Sequence, residues 1–407
     1  MISVDKALQI VLDLTKVLEP VSIPILEARG RVLAEDIVSS EDVPAFDYAM
    51  MSGYALDSKF AAGASCKCPI EIYIDGELFP GKNWPKAIEP GHAVKITSGA
   101  PIPEGADSVL LDEHIVRQTN GKGMIYKQPI AGENIRKKGE DIVKGTLVLT
   151  KGKRLNAADI SILSALGLNE VKCHRQPRVS FLVTGSAFSE SDGPLPYGMM
   201  RCSNRFALYS QLAEYGAHPV DLGIAGHDRE AIQQKILEGL EHDMLLSSIG
   251  PALEDFTFVK KILERVGMDI KFWKVAIKPG KPLIFGICGN TPIFGMSGHP
   301  YSSFIVLEQF VRPALMKMMG MSVTRRTEVL ATLTRDIRGE DGVTTYIRGI
   351  VTLTENGFQV APALRNNSSL RAFSTVNGLI VVPPNAGYIQ SGEKIRVQII
   401  AEPESLN

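Results

Sequence analysis

No stretch of this 407-residue chain approaches the about 18 uninterrupted apolar residues that a membrane-crossing helix requires. Net charge is nearly absent as well: 44 Lys and Arg against 45 Asp and Glu leave −1. A general attraction to nucleic acid or to an anionic membrane is therefore not expected, and any anion binding has to be local. Cysteines are few, odd in number and scattered (66, 68, 173, 202 and 288), as in a reducing compartment. Cys66 and Cys68 form a lone C-x-C without the second pair that a zinc site needs. The early acid Asp5, and no apolar core with a cleavage site, give no signal-peptide pattern, so a cytoplasmic location is expected.

Catalytic signatures are missing too. There is no H-E-x-x-H, no G-x-S-x-G, and no G-x-G-x-x-G after a strand. "GELFPGKN" (76–83) has P-loop spacing, but Asn83 replaces the Ser or Thr, and Trp84-Pro85 forbids the helix that must follow.

What is present is a change of texture along the chain. Ser3 is placed to cap a helix with apolar residues at Val4, Ala7, Leu8, Val11, Leu14 and Leu18, closed by Glu19-Pro20. "ILEARGRVLAE" predicts a second helix. From Val43 to about Thr150, short β-like runs ("IEIYI", "AVKIT", "SVLLDE", "MIYKQ", "TLVLT") alternate with Gly and Pro. "NAADISILSALGL" returns to helical spacing. Residues 178–320 alternate strand and helix, with helices opened by Asn204 and Asp228, which predicts a mostly parallel sheet covered on both faces. From about 325 onward only short strands follow.

The expected architecture is multidomain α/β plus β. An extended helical N-terminal domain (1–42 and 143–177) holds a β-rich insert (43–142); an α/β domain (178–322) and a small C-terminal β-barrel (323–407) follow. The Met cluster at 316–321 reads as core packing, and Asp228 as a helix cap rather than a ligand.

In a parallel sheet, ligands sit outside the carboxyl ends of the strands. "VTGS" (183–186), "SSIGP" (247–251) and "GMSGHPYSS" (295–303) each place Gly and Ser where a strand turns toward a helix. Small residues let backbone N–H groups approach an anion. "KVAIKPGKPLIFG" (274–286) adds Lys278 and Lys281 on either side of a Pro-Gly turn. Gly185, Gly250, Gly298, Ser302 and the two lysines are thus candidates for one anion pocket.

At this point the chain resembles a known family along its whole length, the molybdopterin molybdenumtransferases of the MoeA and gephyrin E-domain type. "VPAFDYAMMSGYALDS" (43–58) is similar to P-x-F-D-x-S-x-M-D-G-Y-A, and "ITSGAPIPEGADSVLLDE" (96–113) to I-x-T-G-A-x-x-P-x-G-A-D-x-V. "ENIRKKGEDI" (133–142) is similar to N-x-R-x-x-G-E-D, and residues 278–282 match K-P-G-K-P. The resemblance implies an α/β domain that binds molybdopterin. It implies a reaction in which adenylylated molybdopterin and molybdate give metal-loaded cofactor and AMP, assisted by Mg2+. Lys278 and Lys281 would hold molybdate or the pterin phosphate, and Ser98, Arg136 and Asp141 would belong to the same cleft. A homodimer, with the insert of one subunit closing over the sheet rim of the other, and a molybdopterin adenylyltransferase partner are implied too.

Several acids of the family pattern are replaced. Ser52 stands for the Asp of M-D-G-Y-A and Ala49 for the Ser before it. Ser186 and Ala187 replace the acids of T-G-D-E-L, Cys202 that of D-[ST]-N, and Thr257 the last acid of S-G-G-V-S-x-G-D-Y-D. L-P-G-N-P becomes Met296-Ser297-Gly298-His299-Pro300. Magnesium takes hard oxygen ligands, so Asp255 and Asp141 are the expected metal ligands and catalytic acids, with Glu254 or Glu190 beside them. Two readings follow. One is a molybdenumtransferase with a rearranged site. The other is a diverged paralog that binds molybdopterin, finished cofactor or a partner protein without turnover.

Overall fold

The computed structural model describes residues 1–185, 188–189, 193–250, 253–322, 324–363 and 374–405, with side chains for all of these except 253–255 and 404–405. The chain forms two compact units: Met1–Ala34, Gly152–Asn156 and Val171–Asn407 make the larger, Glu35–Lys151 and Ala157–Glu170 the smaller.

In the smaller unit the period-2 runs become a six-stranded sheet, in the order Ser108–Leu111, Gly53–Leu56, His92–Ile96, Ile70–Leu78, Lys122–Ile125, Ile115–Arg117. Pleating sends neighbouring side chains to opposite faces, and both faces are buried. Ala55, Val94 and Val109 face one core, while Tyr54, Leu56, Ala93 and Leu110 face the other. A Cβ on Gly53 would lie 2.2 Å from the Leu110 carbonyl oxygen, so the strand pair closes only on glycine there. The helix Ala157–Ala165 belongs to this unit.

The larger unit starts with the helix Val4–Leu14, capped by Ser3 accepting the Lys6 N–H at 3.3 Å. Its buried face (Val4, Ala7, Leu8, Val11) joins the core built around Phe181, Phe294, Phe310 and Leu315. The two helices placed together from sequence, 4–14 and 157–165, therefore lie in different units. The second N-terminal helix does not form. Residues 25–35 instead make one 3₁₀ turn, Ile25–Glu27, followed by isolated bridges of Val32 to Arg154 and Leu33 to Cys173. Gly30, at φ +80°, leaves helical geometry and donates to the Leu155 carbonyl at 2.8 Å, and the Leu33 N–H donates to that of Lys153 at 3.0 Å.

The α/β sheet runs His218–Ile224, Arg178–Val183, Met244–Ile249, Thr291–Ser297, Pro282–Cys288, Asp269–Lys274. Neighbours among the first four pair parallel, and the last three pair antiparallel. All six residues of Met244–Ile249 are buried, as befits a strand covered on both sides. Phe181, Leu246 and Phe294 face one core; Leu182, Leu245 and Ile293 face the other with Ile232, Ile236 and Ile262 of the helices Arg229–Gly239 and Leu253–Arg265. Asp228 caps the 229–239 helix by accepting the Glu230 N–H at 3.0 Å. The helical run 300–318 includes one π-helical turn, Leu307–Val311, and Met316, Met318 and Met319 are core residues.

The last part closes on itself. Thr344–Thr354, Gly357–Pro362, Glu328–Leu333, Lys394–Ile399 and Gly378–Val382 pair in that order, and the last pairs back with the first, giving a five-stranded barrel. One strand of the lysine turn is stitched to it, with Ile277 opposite Thr344 and Lys278 opposite Thr345. Among the described residues no helix is long and apolar enough to cross a membrane.

Candidate functional site

Three strands of the α/β sheet end together. The Thr184 N–H donates to the Ser248 carbonyl at 2.9 Å, and the Gly298 N–H to that of Ile249 at 2.5 Å. Gly185, at φ +143°, donates to the Gly226 carbonyl. A Cβ on Gly298 would meet the Ile249 oxygen at 2.8 Å, so glycine is what lets this loop sit flush on its neighbour.

Asn204 holds the loops in place. It lies inside the first turn of the helix Ser203–Glu214, is only 6% exposed, and does not cap the helix as the sequence suggested; Cys202 occupies that place. Its amide nitrogen donates to the Ser248 Oγ at 2.8 Å and to the Ser303 Oγ at 3.0 Å, and Ser303 in turn donates to the Ser297 carbonyl. One buried side chain thus ties the end of one strand to the start of the 300–306 helix. Asn204→Asp keeps the shape but removes both N–H donors. The change is expected to destabilise the larger unit by about 1–3 kcal/mol, the cost of stranding buried polar groups. Urea unfolding followed in that unit checks it, and an unchanged midpoint would mean water replaces the amide.

The lysine turn lies against the same helix. A Cβ on Gly280 would lie 3.1 Å from Val306 Cγ2 and 3.6 Å from the Ser302 carbonyl oxygen, so the turn packs directly on the helix that begins after Gly298 and His299. Lys278 and Lys281 are both exposed, one on either side of its Pro279-Gly280 pair. The Lys278 ammonium is engaged by Glu340 of the barrel at 2.6 Å. The hydrogen bond from Lys278, then its charge, and after burial's small opposing effect the charge of Lys281, hold the Glu340 carboxyl below its usual range. Thr184 and Ser247 carry buried hydroxyls without a hydrogen-bond partner among the described residues.

Ser98, Arg136 and Asp141 lie in the smaller unit, where the three motif segments that suggested them converge. The Ala49 N–H donates to the Ala100 carbonyl and its carbonyl accepts from the Gly99 N–H, the Met50 N–H donates to the Asn134 carbonyl, and Arg136 pairs with Tyr48 across two short strands. The Ser98 N–H donates to the Ser52 Oγ at 3.1 Å and its hydroxyl to the Met50 carbonyl at 2.8 Å. Arg136 and Asp141 form an ion pair, and the Asp141 bond, followed by its charge, raises the guanidinium's proton affinity further.

Asp255 falls in the first turn of the helix Leu253–Arg265; its side chain and that of Glu254 are outside the described ones, and Glu190, Ser186 and Ala187 are outside the described residues. Gly250 ends its strand as expected. The structure therefore gathers Gly185, Gly250, Gly298, Ser302, Lys278 and Lys281 in one unit and Ser98, Arg136 and Asp141 in the other. Asn204 and Glu340 were not singled out as site residues from sequence.

Among the described residues no group of three His, Cys, Asp or Glu side chains could hold a metal ion. The described side chains at the strand ends are hydroxyls, an amide, an imidazole and ammonium groups, which suit an anion and do not fit a magnesium ion.

The fold is thus an α/β protein with a mostly parallel sheet and an appended five-stranded barrel. Three family profiles cover it: the MoeA N-terminal region (domain I and II) over residues 2–167, a probable molybdopterin binding domain over 181–317, and the MoeA C-terminal region (domain IV) over 331–400. The chain belongs to the molybdopterin molybdenumtransferase (MoeA) family. It is 32% identical to the molybdopterin molybdenumtransferase of Haemophilus influenzae, covering 91% of this chain and 92% of that one. Against the Bacillus subtilis enzyme of the same name, identity is 31% over 98% and 94%. The crystal structure of the molybdopterin biosynthesis protein moeA from Pyrococcus horikoshii superposes with a TM-score of 0.86 at 28% identity, covering 99% of this chain and all of that one.

Proposed function

We propose that this chain carries out the molybdenum-insertion step of molybdenum cofactor biosynthesis, taking adenylylated molybdopterin and molybdate, releasing AMP and leaving the metal on the dithiolene. The observation that carries the reading is the lysine turn: its Gly280 packs on the helix that leaves the Gly298 loop, which brings the turn carrying Lys278 and Lys281 against the element that starts at the strand ends, where the ligand of such a sheet binds. The match to named molybdenumtransferases along the chain supplies the substrate class.

In this reading Lys278 and Lys281 take molybdate or the phosphates, the N–H groups of the Gly185, Gly250 and Gly298 loops and Ser302 line the pocket, and Asn204 keeps the loops in register. Ser98, Arg136 and Asp141, in the smaller unit, are proposed site residues from their family motifs alone. Asp255, at the start of the helix after Gly250, is the proposed catalytic carboxylate. A magnesium requirement is part of the proposal by family alone. So are a homodimer, a cytoplasmic location and supply of substrate by a molybdopterin adenylyltransferase.

The test is a turnover assay on purified protein with adenylylated molybdopterin, molybdate and magnesium, following AMP and metal-loaded cofactor. AMP release is expected, and Asp255→Asn should lower kcat by about 10²–10³, the usual effect of removing one preorganised catalytic group. Tight binding with no AMP above background would sink the enzyme reading. It would leave a binding protein, the reading favoured by Ser52 and Cys202 standing where the family pattern has acids.

A further inference from the structure

Glu340 is held where it is by the fold. The Gly339 N–H donates to the Gly387 carbonyl at 2.8 Å, the Gly342 N–H to that of Pro384 at 3.0 Å, and the Thr344 N–H to that of Ala276 at 3.0 Å. A Cβ on Gly339 would lie 2.8 Å from Val382, so the loop lies close on the barrel. Two residues beyond Ala276, the strand pairing of Lys278 with Thr345 fixes the other partner. Both ends of the Lys278–Glu340 bond are therefore anchored by backbone contacts, although the side chains are 57% and 52% exposed. An exposed pair contributes little to stability, and tying down two long side chains opposes even that.

We propose that Glu340 is a specificity-determining residue, an internal carboxylate that occupies Lys278 until a more highly charged anion displaces it. The proposal rests on Lys278 being a substrate ligand, as argued above. A carboxylate carries one negative charge, whereas molybdate and the phosphate of AMP carry two near neutral pH. A monoanion gains little by replacing Glu340, while a dianion gains the attraction of both Lys278 and Lys281 once the carboxylate swings away. The barrel thereby screens the site against small carboxylates and halides and sets the concentration at which molybdate or a phosphate enters.

The experiment is calorimetric titration of the wild type, Glu340→Gln, Lys278→Gln and the double variant with sodium molybdate, AMP and acetate at constant ionic strength. Glu340→Gln is expected to bind molybdate and AMP about two- to fivefold tighter, the range an exposed ion pair accounts for, and to gain acetate binding that the wild type lacks. In the Lys278→Gln background the gain should vanish. A wild type that binds and a Glu340→Gln variant that binds no tighter overturns this proposal alone. A gain that persists without Lys278 also overturns it, because that is a bulk charge effect. A wild type that binds neither molybdate nor AMP overturns the reading of Lys278 as a ligand and this proposal with it.

Discussion

Replacing Lys278 and Lys281 together by alanine is expected to weaken AMP and molybdate binding by about 10²–10⁴. A hydrogen bond to a charged group contributes about 1.5–3 kcal/mol, and each 1.4 kcal/mol is a factor of ten. Single substitutions should give about 10- to 100-fold each; their effects need not add, because the charges of both act on the Glu340 carboxylate and, by proposal, on the same ligand. Folding should be nearly untouched. Lys278 is more than half exposed and its bond to Glu340 is of the kind that barely registers in unfolding. The loss should also shrink as salt is raised, since the wild-type advantage is the part that salt screens. Calorimetric titration beside an unfolding curve reads both quantities. Unchanged affinity in the double variant would place the anion elsewhere.

The largest stability effect is expected at Glu308, in the π-helical turn 307–311. Its carboxylate accepts from Arg326 Nε at 2.9 Å, from a second Arg326 nitrogen at 3.0 Å and from the Tyr215 hydroxyl at 2.7 Å. Its side chain is 3% exposed and that of Arg326 20%. Burial, followed by the neighbouring Glu308 charge, pushes the Tyr215 phenol well above its ordinary range, so it stays a donor. Removing one partner of a buried pair strands the other charge, at a cost of about 3–5 kcal/mol, while replacing both by apolar groups is often tolerated. Glu308→Ala should therefore shift the urea midpoint of the larger unit strongly, and Glu308→Leu with Arg326→Met should recover much of the loss. Cavities of about 190 and 380 Å³ both touch Glu308 and Arg326. A small shift in the single variant would mean that water from them solvates the arginine.

The chain itself determined its elements wherever one side-chain period dominates. Strict alternation gave the two-faced sheet of the smaller unit, apolar runs bounded by Gly and Ser gave the buried parallel strands, and 3–4 spacing with Ser3 or Asp228 gave capped helices. The lysine turn and the glycine loops were legible for the same reason, because their chemistry is local. "ILEARGRVLAE" shows the limit: its spacing is helical, but Gly30, Leu33 and Ala34 donate to backbone partners far along the chain. Only the tertiary structure decided which distant groups meet. Glu340 reaches Lys278 across 62 residues, and Asn204 reaches Ser248 and Ser303 across 44 and 99. No periodicity records such pairs, because they are set by strand order and barrel closure, which bring together loops whose own sequences carry no sign of each other.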